Sequence, residues 1–263
     1  AIFLATTGSA YPVTRLHVWR QGALTEIAQG SFVSGSTLSV SGNYAIWSWG
    51  EYYPDFNLYR INTATGVTTL VTPDAEAAGN SVAADGSVAF STRSTHQIVR
   101  DRDGLQTALT NDPSHWHTEP LIDGDQIVYL RIDPSGVDKP YSIVLIEGAD
   151  LIPLTGSRAI PPQRGYDYQL KDGWTAYTDL GTQQQLHVFT RSPQGAVTRH
   201  TDFSTESRID RLGGAGEVMI RNGQKRYFSR GLGSVEVSSD DGQAYWLSGA
   251  WYVTITTYLT QTL

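Results

Sequence analysis

The chain contains no cysteine, which excludes disulfides and thiolate chemistry and leaves the redox compartment open. Lysine is nearly absent: Lys139, Lys171 and Lys225 are the only three, against sixteen arginines and a formal net charge of −7. No basic run or stripe occurs, so a nucleic-acid partner is not expected. No apolar run approaches the roughly 18 residues of a membrane-spanning helix, and membrane insertion is not expected. A helical stripe of more than about two turns is also missing. Gly-x-Ser-x-Gly does not occur, which argues against an exposed nucleophilic serine on a strand-to-helix turn. There is no phosphate-cradling glycine loop and no sialidase-type Ser-x-Asp-x-Gly-x-x-Trp box. The opening "AIFLATTG" reads as a strand, not as a signal peptide.

What the chain does contain is 14 tyrosines, 7 tryptophans and 26 glycines, set among short Val/Ile/Thr-rich runs that favour strands almost throughout. A repeat organises them. "PLIDGDQIVYLRID" continuing to "YSIVLIEGADLIPLT" matches "LSVSGNYAIWSW" followed by "NLYRINTATGVTTLVT". "QLKDGWTAYTDL" followed by "QLHVFTRSPQGAVTRHT", and "VAADGSVAFST" followed by "QIVRDRDGLQTALT", repeat the pattern. Each unit has two strands around a glycine turn, a variable connector, and a second glycine-centred hairpin. The second-hairpin glycines, Gly22, Gly66, Gly104, Gly148, Gly195 and Gly231, recur at the period of roughly forty residues that marks propeller blades. The expectation is an all-β chain forming one domain over residues 1–263. It is a six-bladed β-propeller of four-stranded antiparallel blades, with seven blades as the alternative. The first unit lacks an inner strand and "DGQAYWLSGAWYVTITTYL" supplies strands with no hairpin after them, so N- and C-terminal strands are expected to complete one blade. Trp47, Phe90, Tyr129 and Tyr177 recur at the ends of second strands and are assigned to the core between blades.

These units resemble the TolB-like repeats of six-bladed propellers, which carry a "P…DG…I.Y" strand pair and an "…LT" ending. "PLIDGDQIVYLRID" matches this best, with "KDGWTAYTDL" and "ADGSVAFST" as partial matches. The resemblance implies the propeller fold and an extracytoplasmic setting, periplasmic or secreted. Members include periplasmic proteins that bind other proteins, propeller domains of serine peptidases, and polysaccharide lyases, some of which hold a metal with inner-strand histidines.

Antiparallel strands named A to D from the axis outward put the A–B and C–D turns on one face and the B–C and D–A connectors on the other. The turns are short and the connectors long, so the connector face is expected to carry function. "SHWHTEP" begins an A strand there. On a regular strand His115, His117 and Glu119 share a side and Trp116 faces away. Aligned positions are Arg164, Tyr166 and Tyr168 in the next unit and Glu206, Arg208 and Asp210 in the one after. Tyr52, Tyr53 and Phe56 add aromatic side chains in another connector. Two imidazoles and a carboxylate suit a divalent metal, with His115 and His117 as the candidate ligands; the other reading is polar lining of a channel mouth. His17, His96, His187 and His200 fall on B–C connectors or outer strands and are set aside. "RDRDG" lacks the later carboxylates of a calcium loop and reads as a hairpin turn. Two functions compete. One is a non-enzymatic binding module, without a cofactor, that presents the connector face to a protein or glycan. The other is a metal-dependent polysaccharide lyase or hydrolase centred on His115 and His117.

Overall fold

The computed structural model describes residues 2–7, 13–20, 22–30, 38–49, 57–76, 79–135, 139–181, 185–230, 234–238, 244–248 and 251–255. Among them every regular element is a strand. The chain divides into two compact units, residues 1–152 and 153–263.

In the first unit β1 (Ile2–Thr7), β2 (Val13–Arg20) and β3 (Ala23–Gly30) form a three-stranded antiparallel sheet. Four-stranded sheets follow. The second sheet is β4 (Ser39–Ser41), β5 (Tyr44–Trp49), β6 (Asn57–Asn62) and β7 (Thr68–Thr72). The third is β8 (Ser81–Val82), β9 (Val88–Ser91), β10 (Ile98–Arg102) and β11 (Leu105–Ala108). The fourth is β12 (Trp116–Asp123), β13 (Gln126–Ile132), β14 (Tyr141–Glu147) and β15 (Asp150–Pro153), whose last residue lies just past the division between units. In the second unit, β16 (Tyr168–Lys171), β17 (Trp174–Leu180), β18 (Leu186–Arg191) and β19 (Val197–Arg199) form one such sheet. Another comprises β20 (Ser207–Leu212), β21 (Val218–Asn222), β22 (Lys225–Ser229) and β23 (Ser234–Ser238), and β24 (Ala244–Ser248) pairs with β25 (Trp251–Ile255). Every four-stranded sheet is hydrogen-bonded in chain order. Among the described residues β1 pairs only with β2 and β24 only with β25, so the ladder expected to join the two ends of the chain is not among them.

Burial follows strand position. β9 is buried along its whole length, β13 and β17 through their centres, whereas β11 is exposed throughout and β15 and β19 nearly so. Middle strands that are apolar on both faces need cover on both, which neighbouring sheets supply. Ile46, Leu58 and Val71 of the second sheet pack with Val82, Val88, Phe90 and Val99 of the third. The opposite face of the third gives Ala83, Ala89 and Ile98 to a core with Ile122, Ile127, Tyr129, Val144 and Ile146. In the second unit Ala176 and Val188 meet Ile209, Leu212, Val218 and Ile220. Trp47, Phe90, Tyr129 and Tyr177 are all buried, as the repeat requires.

The turns bear out the glycine reading at particular positions. Asp103 (φ 55°) and Gly104 (φ 85°) are both left-handed between the paired residues Arg102 and Leu105, a two-residue hairpin loop whose twist matches its strands. The first turns of the units show a second device. Gly86 (φ 88°) lies so close to Tyr44 that a Cβ would stand 2.9 Å from the ring, and Gly216 (φ 79°) meets Trp174 at 2.4 Å. Tyr44 and Trp174 each begin the second strand of the preceding sheet, so one contact recurs in both units. One expectation about connectors fails. The link from β21 to β22 is only Gly223 and Gln224, with Gly223 at φ 60°, so this connector is as tight as any turn. Asn222-Gly223 has the chemistry of a tight hairpin loop.

Candidate functional site

The first cluster forms where the chain enters β12. His115 precedes the strand, in a turn built by Asp112, whose Oδ1 accepts hydrogen bonds from the Ser114 backbone N–H (3.0 Å) and hydroxyl (2.5 Å). Its Oδ2 lies 2.6 Å from His115 Nδ1. The Ser114 hydroxyl, more than the imidazole, draws the Asp112 pKa down to about 2. Gln97 fixes this turn from behind: its amide donates to the Asp112 carbonyl (3.0 Å) and its oxygen accepts the Asp112 N–H (3.1 Å). His115 is thereby oriented with Nδ1 toward a carboxylate.

His117 is different. It is 1 % exposed, lies 5.3 Å from the Tyr129 ring and 6.5 Å from that of His115, and neither of its ring nitrogens makes a hydrogen bond of good geometry, although the Asp112 backbone acts weakly on the ring. Burial pushes its pKa down to about 4, against a smaller opposing pull from the Asp112 carboxylate. The imidazole is therefore neutral near pH 7.

Regular alternation stops two residues later. Glu119 has φ 53° and the β12–β13 register shifts between Thr118 and Leu121, a bulge that re-aims the strand. Glu119 packs over Gly79, where an added Cβ would stand 2.8 Å from the Glu119 Cα. The expectation that His115, His117 and Glu119 share one strand face is corrected: His115 lies before the strand and Glu119 at its bulge. Both Asp112 oxygens are engaged, and among the described residues no group of three or more His, Asp or Glu side chains is placed to hold a metal ion.

Trp116 joins a cluster that the sequence reading missed. Its ring lies 4.8 Å from His96 and 5.6 Å from Lys139 Nζ, with 37 % of the residue exposed. His96 Nδ1 is 3.0 Å from Glu76 Oε1, and Glu76 Oε2 accepts the Thr118 hydroxyl at 2.7 Å. The His117 N–H donates to the His96 carbonyl at 2.8 Å, tying connector to strand. His96 was set aside for lying on a B–C connector. The alternation of antiparallel strands puts that connector on the same face as the start of β12, so the signal was present.

The second unit holds its own cluster. Tyr166 is 45 % exposed, with the Arg221 guanidinium carbon 5.2 Å from its ring centroid, and its carbonyl accepts the Ile209 N–H at 2.8 Å. Arg208 Nη1 bonds Asp167 Oδ2 at 2.7 Å; Asp167 is 1 % exposed and also accepts the Gln163 N–H (2.7 Å) and the Thr178 hydroxyl (2.8 Å). Buried Arg158 approaches the same carboxylate at 3.8 Å. Burial lowers the Arg158 pKa, with Asp167 opposing. Glu206 pairs with the outer edge of Arg208. Thr205, Glu206, Arg208, Arg221 and Gly223 line an open pocket of about 470 Å³. The structure thus brings Tyr166, Glu206 and Arg208 together and adds Arg221 and Asp167. Arg164 forms a parallel bridge with Tyr168, and Tyr52, Tyr53 and Phe56 lie outside the described residues.

No family model matches the chain, and no curated protein matches it. Solved structures do. An oligogalacturonate lyase in complex with manganese is 9 % identical, with a TM-score of 0.50 over 86 % of this chain and 69 % of that one. An oligogalacturonate lyase from Vibrio parahaemolyticus is 10 % identical at the same TM-score and coverage. A puromycin hydrolase is 11 % identical with a TM-score of 0.50; the match spans 74 % of this chain but only 37 % of the hydrolase. At such identities the likeness bears on fold alone. Together with the repeated four-stranded antiparallel sheets, it makes this chain an all-β protein of the β-propeller fold.

Proposed function

We propose that the chain is a non-enzymatic binding module that takes a glycan where an inner strand begins, at Trp116 in one unit and at Tyr166 in the other. One observation carries this reading. Two separate sheets each present a partly exposed aromatic ring with a cation against it at the entry to the innermost strand: Trp116 with Lys139, and Tyr166 with Arg221. A flat ring with one polar neighbour offers both an apolar surface for the C–H face of a sugar and a donor for its oxygens. The metal-dependent alternative is supported less well, because among the described residues no third donor joins the two imidazoles. The same reading keeps six blades, with the terminal strands completing one, and an extracytoplasmic location.

A glycan array probed with the full chain tests the proposal. Retention of defined glycans by the wild type, weakened at least about tenfold by Trp116→Ala or Tyr166→Ala, is the expected result. No retention, or retention indifferent to both changes, refutes it. Stoichiometric metal in protein purified without a histidine tag, together with cleavage of a retained glycan, would establish the enzyme instead.

A further inference from the structure

Arg208 has two unlike edges. Its inner nitrogen is committed to Asp167, a carboxylate that is 1 % exposed and held by a backbone N–H and a hydroxyl, so this contact is a fixture of the fold. Its outer edge meets Glu206, whose side chain is 52 % exposed. Arg208 Nε and Nη2, at 2.8 and 2.5 Å, both reach the same oxygen, Glu206 Oε1. A guanidinium edge is shaped for two oxygens, one on each N–H. Glu206 sits two residues away along the chain and offers only one. An exposed pair of this kind contributes little and is easily exchanged.

The surroundings favour that exchange. Arg221 lines the same pocket, with Asp210 at 3.6 Å and the Tyr166 ring beneath its guanidinium. Arg226 Nε also reaches Asp210, at 2.6 Å. Arg158 shares Asp167 with Arg208, while Asp179 acts on Arg158 through space. Glu206 is thus the exposed member of a set of carboxylates whose others are buried or half-buried.

We infer that this pocket takes a carboxylate group of the ligand in place of Glu206, bidentate on Arg208 and within reach of Arg221. Glu206 is a built-in competitor that occupies the site until a better-shaped carboxylate arrives. The inference deepens the glycan reading, and rests on it only for the carboxylate being carried on a sugar. A small free carboxylate would supply the same chemistry.

The test titrates the full chain with glutarate at constant ionic strength, following the arginine Nε–Hε resonances by NMR, and repeats the glycan array with sugar acids beside their neutral counterparts. Glutarate is expected to shift the Arg208 and Arg221 signals. Glu206→Gln should strengthen glutarate binding about threefold to tenfold, and Arg221→Gln should weaken it by a similar factor. Arg221→Gln avoids leaving Asp167 unpaired, as a change at Arg208 would. Asp202→Asn removes an equal charge at an exposed pair with Arg199 outside the pocket lining and should change nothing. If Glu206→Gln leaves glutarate binding unchanged or weaker, or Asp202→Asn strengthens it equally, the inference falls. If glutarate behaves as expected while the array retains nothing, the inference stands and the glycan reading falls. Retention of sugar acids and neutral counterparts alike, with no effect of Glu206→Gln, leaves the glycan reading and removes the inference.

Discussion

His117 in the first unit and His200 in the second are equally hidden, at 1 % and 4 % exposure, and burial draws both pKa values down to about 4. Their surroundings differ completely. His200 Nε2 lies 2.7 Å from the Thr190 hydroxyl and Nδ1 lies 2.8 Å from that of Ser229. Neither His117 nitrogen meets a hydroxyl or makes a hydrogen bond of good geometry, and the Asp112 backbone acts on the ring only weakly. His200 is a structural crosslink between strands, each nitrogen answered by a hydroxyl. His117 carries the desolvation cost of an imidazole with only a weak pull from the Asp112 backbone to offset it. The two rings are equal in depth and differ in what their nitrogens meet.

Acid should treat the two alike, and its effect is the largest expected. Both folded pKa values lie below the ordinary value of 6.5, so the unfolded chain binds protons first. The stability these neutral rings allow is complete above about pH 6.5, is lost as pH falls toward 4, and loses no more below that. Each contributes on the order of 3 kcal/mol across the window, from the usual ~1.4 kcal/mol per pKa unit. Urea denaturation at pH 7.5, 5.5 and 4.5 measures this. A flat profile would show that water or a neighbouring carboxylate reaches one of the rings.

Substitution should then separate them. His200→Phe removes two buried hydrogen bonds and should cost about 2–3 kcal/mol at pH 7. His117→Phe removes only the weak interaction with the Asp112 backbone, keeps the ring between Tyr129 and His115, and should stay within about 1 kcal/mol of wild type. Equal losses at both positions would mean that the His117 nitrogens serve a partner, and metal binding by the wild type would become the first thing to measure.

The fold was legible because its signals are local and repeated. Turn glycines at Gly66, Gly104, Gly148 and Gly195 took the left-handed conformations that hairpins require, and the second-strand aromatics went to the core. The entry to β12 was legible as a polar mouth for the same reason. What stayed hidden depends on contacts between sheets or on local irregularity. Glu119 has no sequence mark of its left-handed backbone, since glycine or asparagine usually fills such positions; its close packing over Gly79 is visible only in the structure. The Glu76–His96–Trp116 cluster draws on three stretches spread over forty residues. Asp167 was passed over between Tyr166 and Tyr168, although it is the buried anchor of Arg208. Asn222-Gly223 was readable as a tight turn and was missed because connectors were assumed to be long.

Of the charges acting on His117, Asp112 raises its pKa while His115 and Arg131 lower it, all of them less than burial does. For His200 only burial acts. Asp112→Asn should therefore lower the His117 pKa further and leave that of His200 unmoved, as read from the imidazole carbon-bound proton shifts. The Asp112 side chain is 42 % exposed, so solvent screens its field and the change should be small. It should shrink further as salt is raised, whereas the shift caused by burial should not respond to salt. A response of His200 equal to that of His117 would mean that the substitution loosens the fold as a whole. An upward shift of His117 would mean that releasing the turn held by Gln97 lets water reach the ring, so that its neutrality depends on that turn more than on Tyr129 and the strand around it.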